Sequence, residues 1–161
     1  MPLRHRDLQN SGTFFITTST YNKIVRFRKN EDFEIVLNNI EFYRIRDNIT
    51  IHGYVVMPNH LHLLLTIPES GSISSFVRDM KKRIAFEYFC DRNLKSHKFW
   101  QNRFDDVYIY SEDVFRIKLN YIHNNPVKAG FVKKPEDWKY SSANYYSTTK
   151  TYIVEVHSLE L

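Results

Sequence analysis

A chain of 161 residues, 42% of them hydrophobic, is long enough for one domain with a sizeable core. Its single cysteine, Cys90, excludes an intrachain disulfide and a cysteine-rich zinc site, and its longest apolar runs are of strand length, which excludes a membrane-spanning helix. The net charge of +5 and a pI near 9.2 suit a nucleic-acid partner.

No internal repeat or low-complexity tract divides the chain, so residues 1–161 are read as a single domain. The first strand is expected over Thr13 to Thr18, where Phe14 and Ile16 alternate with Phe15 and Thr17. A basic loop or short strand follows from Tyr21 to Lys29. Asn30 is the expected N-cap of a helix whose stripe is Phe33, Val36, Leu37, Ile40 and Tyr43. Two strands then run from Ile51 to Val56 and from His60 to Ile67, with Pro58 and Asn59 as the turn between them. After a turn at Pro68 to Gly71, a second helix is marked by Ile73, Phe76, Val77, Met80, Ile84 and Tyr88. Cys90 ends that stripe and reads as a buried thiol, which fits a reducing cytoplasm. The N-terminal Met-Pro-Leu-Arg-His-Arg-Asp leads into no apolar segment, so no signal peptide is expected.

A fourth strand is expected from Arg103 to Tyr110. The next helix should start at Ser111, a good N-cap followed by Glu112 and Asp113, where the helix dipole favours acids. Two sets recur at helical spacing within it: Val114, Ile117 and Tyr121, and Phe115, Leu119 and Ile122. Pro126 disfavours helical backbone at Asn125, so the helix should stop there. The order β-α-β-β-α-β is that of a ferredoxin-like α+β domain, with the Tyr121 helix and a tail added at the C-terminus. Trp138, Tyr140, Tyr145 and Tyr146 suggest that part of the tail docks on the body.

Two places carry chemistry. In His60-Leu61-His62, side chains two apart on a strand share one face, about 7 Å apart along it. Two imidazoles so placed can hold one divalent metal ion, while Leu61, Leu63 and Leu65 anchor the opposite face. About sixty residues on, Tyr121 and Asn125 lie four apart on one helix face. A phenol beside an amide oxygen can serve as nucleophile and metal ligand. The same spacing is that of a core tyrosine and a helix-capping asparagine, and spacing alone leaves both readings open. His123 points elsewhere on the helix and reads as structural.

Met57-Pro-Asn-His-Leu-His-Leu-Leu-Leu65 and Tyr121-Ile-His-Asn-Asn-Pro-Val-Lys-Ala-Gly130, supported by Trp100-Gln-Asn-Arg-Phe-Asp105 and Trp138-Lys-Tyr-Ser-Ser-Ala143, resemble the single-tyrosine HUH transposases. Within them the chain is most similar to the REP-associated tyrosine transposases of bacteria. The resemblance spans roughly residues 10–146. It implies a divalent metal, Mg2+ or Mn2+, on His60 and His62, with Tyr121 as the nucleophile that cuts single-stranded DNA through a 5′-phosphotyrosine. Asn125 matches the polar metal ligand; relatives in the broader transposase family have Gln there. The implied substrate is single-stranded DNA beside a hairpin formed by repetitive palindromic elements, acted on in the cytoplasm by a monomer or homodimer.

Basic residues that could meet DNA are Arg78, Lys81, Lys82 and Arg83 on the second helix, and Arg4, Arg6, Lys23, Arg26, Arg28 and Lys29 near the first strand. The helical set is equally read as a solvated face. Two other function classes stay open. One is a non-catalytic single-strand-binding module of ferredoxin-like fold, with exposed aromatics as base platforms. The other is a small metal-dependent hydrolase built on the histidine pair, which would have no use for Tyr121.

Overall fold

The computed structural model describes residues 10–95, 97–147 and 154–158. Its sheet comprises β1 (Gly12–Ser19), β2 (Thr50–Met57), β3 (His60–Ile67) and β4 (Asp105–Tyr108), in the spatial order β2-β3-β1-β4, with every neighbouring pair antiparallel. Helix α1 (Asn30–Arg46) follows β1 and α2 (Ile73–Asp91) follows β3, which completes the expected ferredoxin-like order. Helices α3 (Glu112–Lys128) and α4 (Ala143–Ser147) are added after β4.

Strand alternation divides the core into two layers. Phe14, Ile16, Tyr54, Val56, Leu61, Leu63 and Leu65 face α1 and α2, where Phe33, Val36, Ile40, Phe76, Met80 and Ile84 meet them. Phe15, Val55, Met57 and Leu64 face the other way and pack with Phe115, Ile122 and Leu119 of α3. The sheet is therefore covered on both sides, with α3 alone opposite α1 and α2. Gly53 sets how near α3 comes. A Cβ at that position would lie 2.6 Å from Leu119 Cδ1 and 3.4 Å from Ser142 Oγ.

Helix α3 starts at the expected cap, Ser111, which accepts from the Val114 N–H at 3.2 Å, and Ser72, which the sequence reading did not single out, caps α2. Helix α1 differs. Lys29 is its N-cap, and the Asp32 carboxylate accepts from the N–H groups of Arg28 and Lys29 at 2.8 and 3.0 Å. Asp32 is buried and ion-paired with Arg92, which aims it at the helix start. Asn30 is engaged elsewhere: its amide donates to Glu34 and its oxygen accepts from the Tyr140 hydroxyl at 2.7 Å.

Helix α3 does not stop at Asn125. It runs through Pro126 to Lys128. Proline forfeits one intrahelical bond, but a Schellman closure secures the extra turn. Gly130, at φ +79°, donates its N–H to Val127 O, and Phe131 donates to Pro126 O, each at 3.0 Å. Of the two stripes, the one packed on the sheet is Phe115, Leu119 and Ile122; Ile117 and Tyr121 project outward. Cys90 is exposed rather than buried, because it lies two residues past the buried Tyr88, more than half a turn round the helix. Strand β4 is shorter than the expected Arg103 to Tyr110. Only Asp105 to Tyr108 pair with β1, and Phe104 turns into the core.

The tail docks as expected, along the outer edge of β2. Val56 N–H donates to Tyr140 O, Ser142 N–H to Tyr54 O and His157 N–H to Ile51 O, at 2.8 to 2.9 Å. These bonds occupy an edge that would otherwise offer free backbone groups. Trp138 Nε1 donates to Val56 O, Tyr140 stacks on Phe33 with ring centres 3.8 Å apart, and the Tyr146 hydroxyl donates to His52 O. Among the described residues, no helix is long and apolar enough to cross a membrane.

Candidate active site

His60 and His62 project from β3 toward α3, and their ring centres are 4.9 Å apart. The β1–β3 register sets Thr17 opposite His62, and Thr17 Oγ1 lies 2.7 Å from His62 Nδ1. Asn125, on α3, donates from Nδ2 to His62 Nε2 at 3.4 Å and also hydrogen-bonds the His60 ring. With the amide in this orientation, His62 Nε2 accepts, Nδ1–H donates to Thr17, and the Nε2 lone pair faces the site. On His60, Nδ1 lies 2.7 Å from Asn59 Oδ1, which orients the second ring.

Both rings are held neutral. Burial, helped by the Lys118 charge and by the neighbouring His60 ring, against which a second proton would be repelled, pushes His62 down to about 3. Burial also lowers His60, with Lys23 adding to the shift and the Asn125 hydrogen bond opposing it. A neutral imidazole with an inward lone pair is the form that binds a metal.

Tyr121 stands beside this pair. Its ring centre is 5.3 Å from that of His62 and 5.8 Å from that of Phe15, both edge-to-face. Phe15 in turn stacks on His62 at 5.3 Å. Tyr121 is 39% exposed, so its phenol can be reached from outside, whereas His62 is 4% exposed. A core tyrosine would have been buried with Phe115 and Ile122. The two expected halves of the site, 60 to 62 and 121 to 125, therefore meet across the β3–α3 contact.

The family model described as "Transposase IS200 like" matches residues 14–125, from β1 to the asparagine of α3. The chain belongs to that family. Two curated transposases are similar to it. The REP-associated tyrosine transposase of Escherichia coli (strain K12) is 32% identical over 132 residues, 81% of this chain and 76% of that protein. A putative REP-associated tyrosine transposase of Haemophilus influenzae is 30% identical over 96 residues, 54% of each chain. Among solved structures, a REP-associated tyrosine transposase bound to a REP hairpin superposes with a TM-score of 0.73 and 27% identity, covering 93% of this chain and 88% of that one. A putative transposase from Deinococcus radiodurans shares the fold, with a TM-score of 0.50, 17% identity and coverage of 71% and 90%.

In this IS200-like chain the basic residues divide by layer. Helix α2 packs on the sheet face opposite Tyr121. Its Arg78 pairs with Asp79 at 2.9 Å and its Arg83 with Glu87 at 2.6 Å, while Lys81 Nζ donates to Gln101 O at 2.8 Å. Lys82 is exposed. Arg26 lies over the Phe99 ring at 5.5 Å and reaches Lys98 O. Arg4 and Arg6 lie outside the described residues. His123 is structural: its Nε2 bonds Ser142 Oγ at 2.9 Å behind α3, and burial lowers its pKa to about 4.

The sequence reading missed Thr17, Phe15, Asn59 and two lysines of α3. Lys118 Nζ lies 5.9 Å and Lys128 Nζ 5.7 Å from the Tyr121 ring centre. Their signal was present in the spacing of Lys118, Tyr121, Asn125 and Lys128, steps of three, four and three that keep one helix face. Thr17 carried no local signal; only the strand register brings it to His62.

Proposed function

We propose that this transposase-family chain cuts single-stranded DNA beside a hairpin and rejoins it through a covalent Tyr121 adduct. The observation that carries the reading is the meeting of an accessible Tyr121 with the His60, His62 and Asn125 cluster. The phenol oxygen attacks the scissile phosphorus and loses its proton. The bond from phosphorus to the 3′ oxygen breaks, and that oxygen leaves as a hydroxyl after gaining a proton. The product is a 5′-phosphotyrosine. A 3′-hydroxyl of another DNA end reverses these events and restores a phosphodiester, so bond energy is conserved and no nucleotide is hydrolysed.

The residues fit a divalent cation. His62 offers Nε2, His60 its inward nitrogen, and Asn125 an amide oxygen that a half-turn of the amide brings to where its nitrogen now stands. Two imidazoles and one oxygen suit Mn2+ readily and Mg2+ with added oxygen ligands from phosphate and water. When bound there, such an ion would supply Lewis-acid polarisation of the phosphate. The chain's own residues orient the reaction: Thr17 and Asn59 hold the histidine rings, and Phe15 holds Tyr121 edge-on against His62. Nucleophile and ligands come from one chain, which supports a complete site in each copy, whether monomer or homodimer. Hairpin DNA as substrate is supported by the similar REP-associated transposase seen with a REP hairpin. Such a substrate suits a cytoplasmic protein.

The deciding experiment incubates the protein with a hairpin oligonucleotide bearing a labelled single-stranded flank and Mn2+, then separates the products in SDS. A labelled, SDS-stable protein–DNA adduct is expected. DNA binding with neither adduct nor cleavage would instead identify a binding module, and cleavage without an adduct would identify a metal hydrolase.

A further inference from the structure

Tyr121 lies on α3 beside a neutral histidine pair, so a DNA phosphate brought to this phenol needs local cations to offset its charge. The structure places two such cations, one on each side. Lys118, one turn before Tyr121, lies over the Phe15 ring with Nζ 4.8 Å from its centre, a cation–π contact that holds the ammonium beside the phenol. Lys128 stands two turns after Tyr121, on the turn that α3 gains by running through Pro126. Its ammonium nonetheless comes within 5.7 Å of the Tyr121 ring centre, as helical side chains lean toward the N-terminus.

Among the described residues, no acidic side chain pairs with Lys118 or Lys128, whereas Arg78 and Arg83 on the opposite layer are each paired. The first-turn acid Glu112 is engaged by Arg116, far along α3 from Tyr121. The two lysines, the phenol and Asn125 share one helix face, and that face borders the histidine pair.

We propose that Lys118 and Lys128 are the phosphate seats of the site, gripping the DNA backbone on opposite sides of the scissile linkage and so laying that linkage over Tyr121. This rests on the strand-cutting reading above and adds the residues that set the strand's register. Both are positioning residues, because they hold the phosphates that flank the reacting one.

The test uses the full chain and single-stranded oligonucleotides in which one phosphate at a time is replaced by an uncharged methylphosphonate. Binding is measured without divalent metal, so that it is read apart from cleavage. In the unaltered protein, two linkages that bracket the cut site should each weaken binding when neutralised. In Lys118→Met, which keeps the aliphatic stem over Phe15, sensitivity at one of them should vanish. In Lys128→Ala, sensitivity at the other should vanish. Each lysine removed should flatten the slope of log affinity against log salt by about 0.7. Lys118→Arg and Lys128→Arg should restore the sensitivities, and thermal melts should show that all variants fold. Unchanged methylphosphonate profiles and salt slopes in both variants would overturn the proposal and make these lysines solvated surface. If they change as expected but the unaltered protein with Mn2+ gives no adduct, the strand-cutting reading falls while the phosphate seats stand.

Discussion

Thr17 and His62 are paired twice, once through the backbone ladder of β1 and β3 and once through their side chains at 2.7 Å. A hydroxyl on one strand thus selects which nitrogen of a ring on the next strand faces the site. Thr17→Val keeps the shape and removes the acceptor. We expect the folded protein to survive and Mn2+ affinity, measured by calorimetry, to fall by about 10- to 100-fold, the usual cost of losing a partner behind a metal ligand. Undiminished affinity in this variant would show that ring orientation is set elsewhere.

Tyr121→Phe is expected to abolish the covalent adduct while changing stability by no more than about 0.5 kcal/mol, since the ring is half exposed and its edge contacts persist. Peptide mapping of the adduct in unaltered protein should find the DNA on Tyr121. An adduct of full yield in the phenylalanine variant would reassign the nucleophile.

The three ligand positions should not behave alike. His60→Ala and His62→Ala are each expected to remove cleavage and most metal binding, with DNA binding largely kept. Asn125→Ala should be milder, because water can replace an amide oxygen, though it also frees both rings from a shared partner. Rates under single-turnover conditions, titrated with metal, give the ranking. Full cleavage by unaltered protein in excess chelator would refute the metal-dependent reading.

Acid should unfold this protein by way of its histidines. Burial lowers His52, His62 and His123 below their ordinary value of 6.5, the last to about 4. A group with a lowered folded pKa binds more protons when unfolded, so its contribution is complete above about pH 6.5 and is lost as the pH falls through the folded value. Urea midpoints should therefore fall between about pH 6.5 and about pH 4. His123→Gln, which lacks the titration, should flatten that descent; an equally steep curve would place the acid sensitivity in other groups.

Much of this was legible in the chain itself. The alternation around Leu61, Leu63 and Leu65 gives β3 its two faces, and the spacing of Tyr121 and Asn125 gives α3 the face that meets the histidines. Three things were not legible, each for a physical reason. Pro126 reads as a stop because its local cost is plain, whereas the closure by Gly130 and Phe131 that outweighs it depends on residues beyond. Cys90 reads as buried because it ends an apolar stripe, whereas its angle, two residues past Tyr88, turns it outward. Thr17 and Phe15 belong to the site only through strand register, which no local pattern states.

Gly53 lies behind α3, away from Tyr121, yet it governs how near that helix comes to the sheet. Leu119 rests on the spot where any other residue would carry a Cβ, so α3 lies against the bare backbone of β2. The gap between phenol and imidazole is thus calibrated from behind the helix, by a missing methyl group. A methyl added there would act as a shim against the end of the Leu119 side chain: Leu119 would have to turn aside, or the helix that carries Tyr121 and Asn125 would lift. The spacing of phenol and imidazole would then answer to a residue that touches neither.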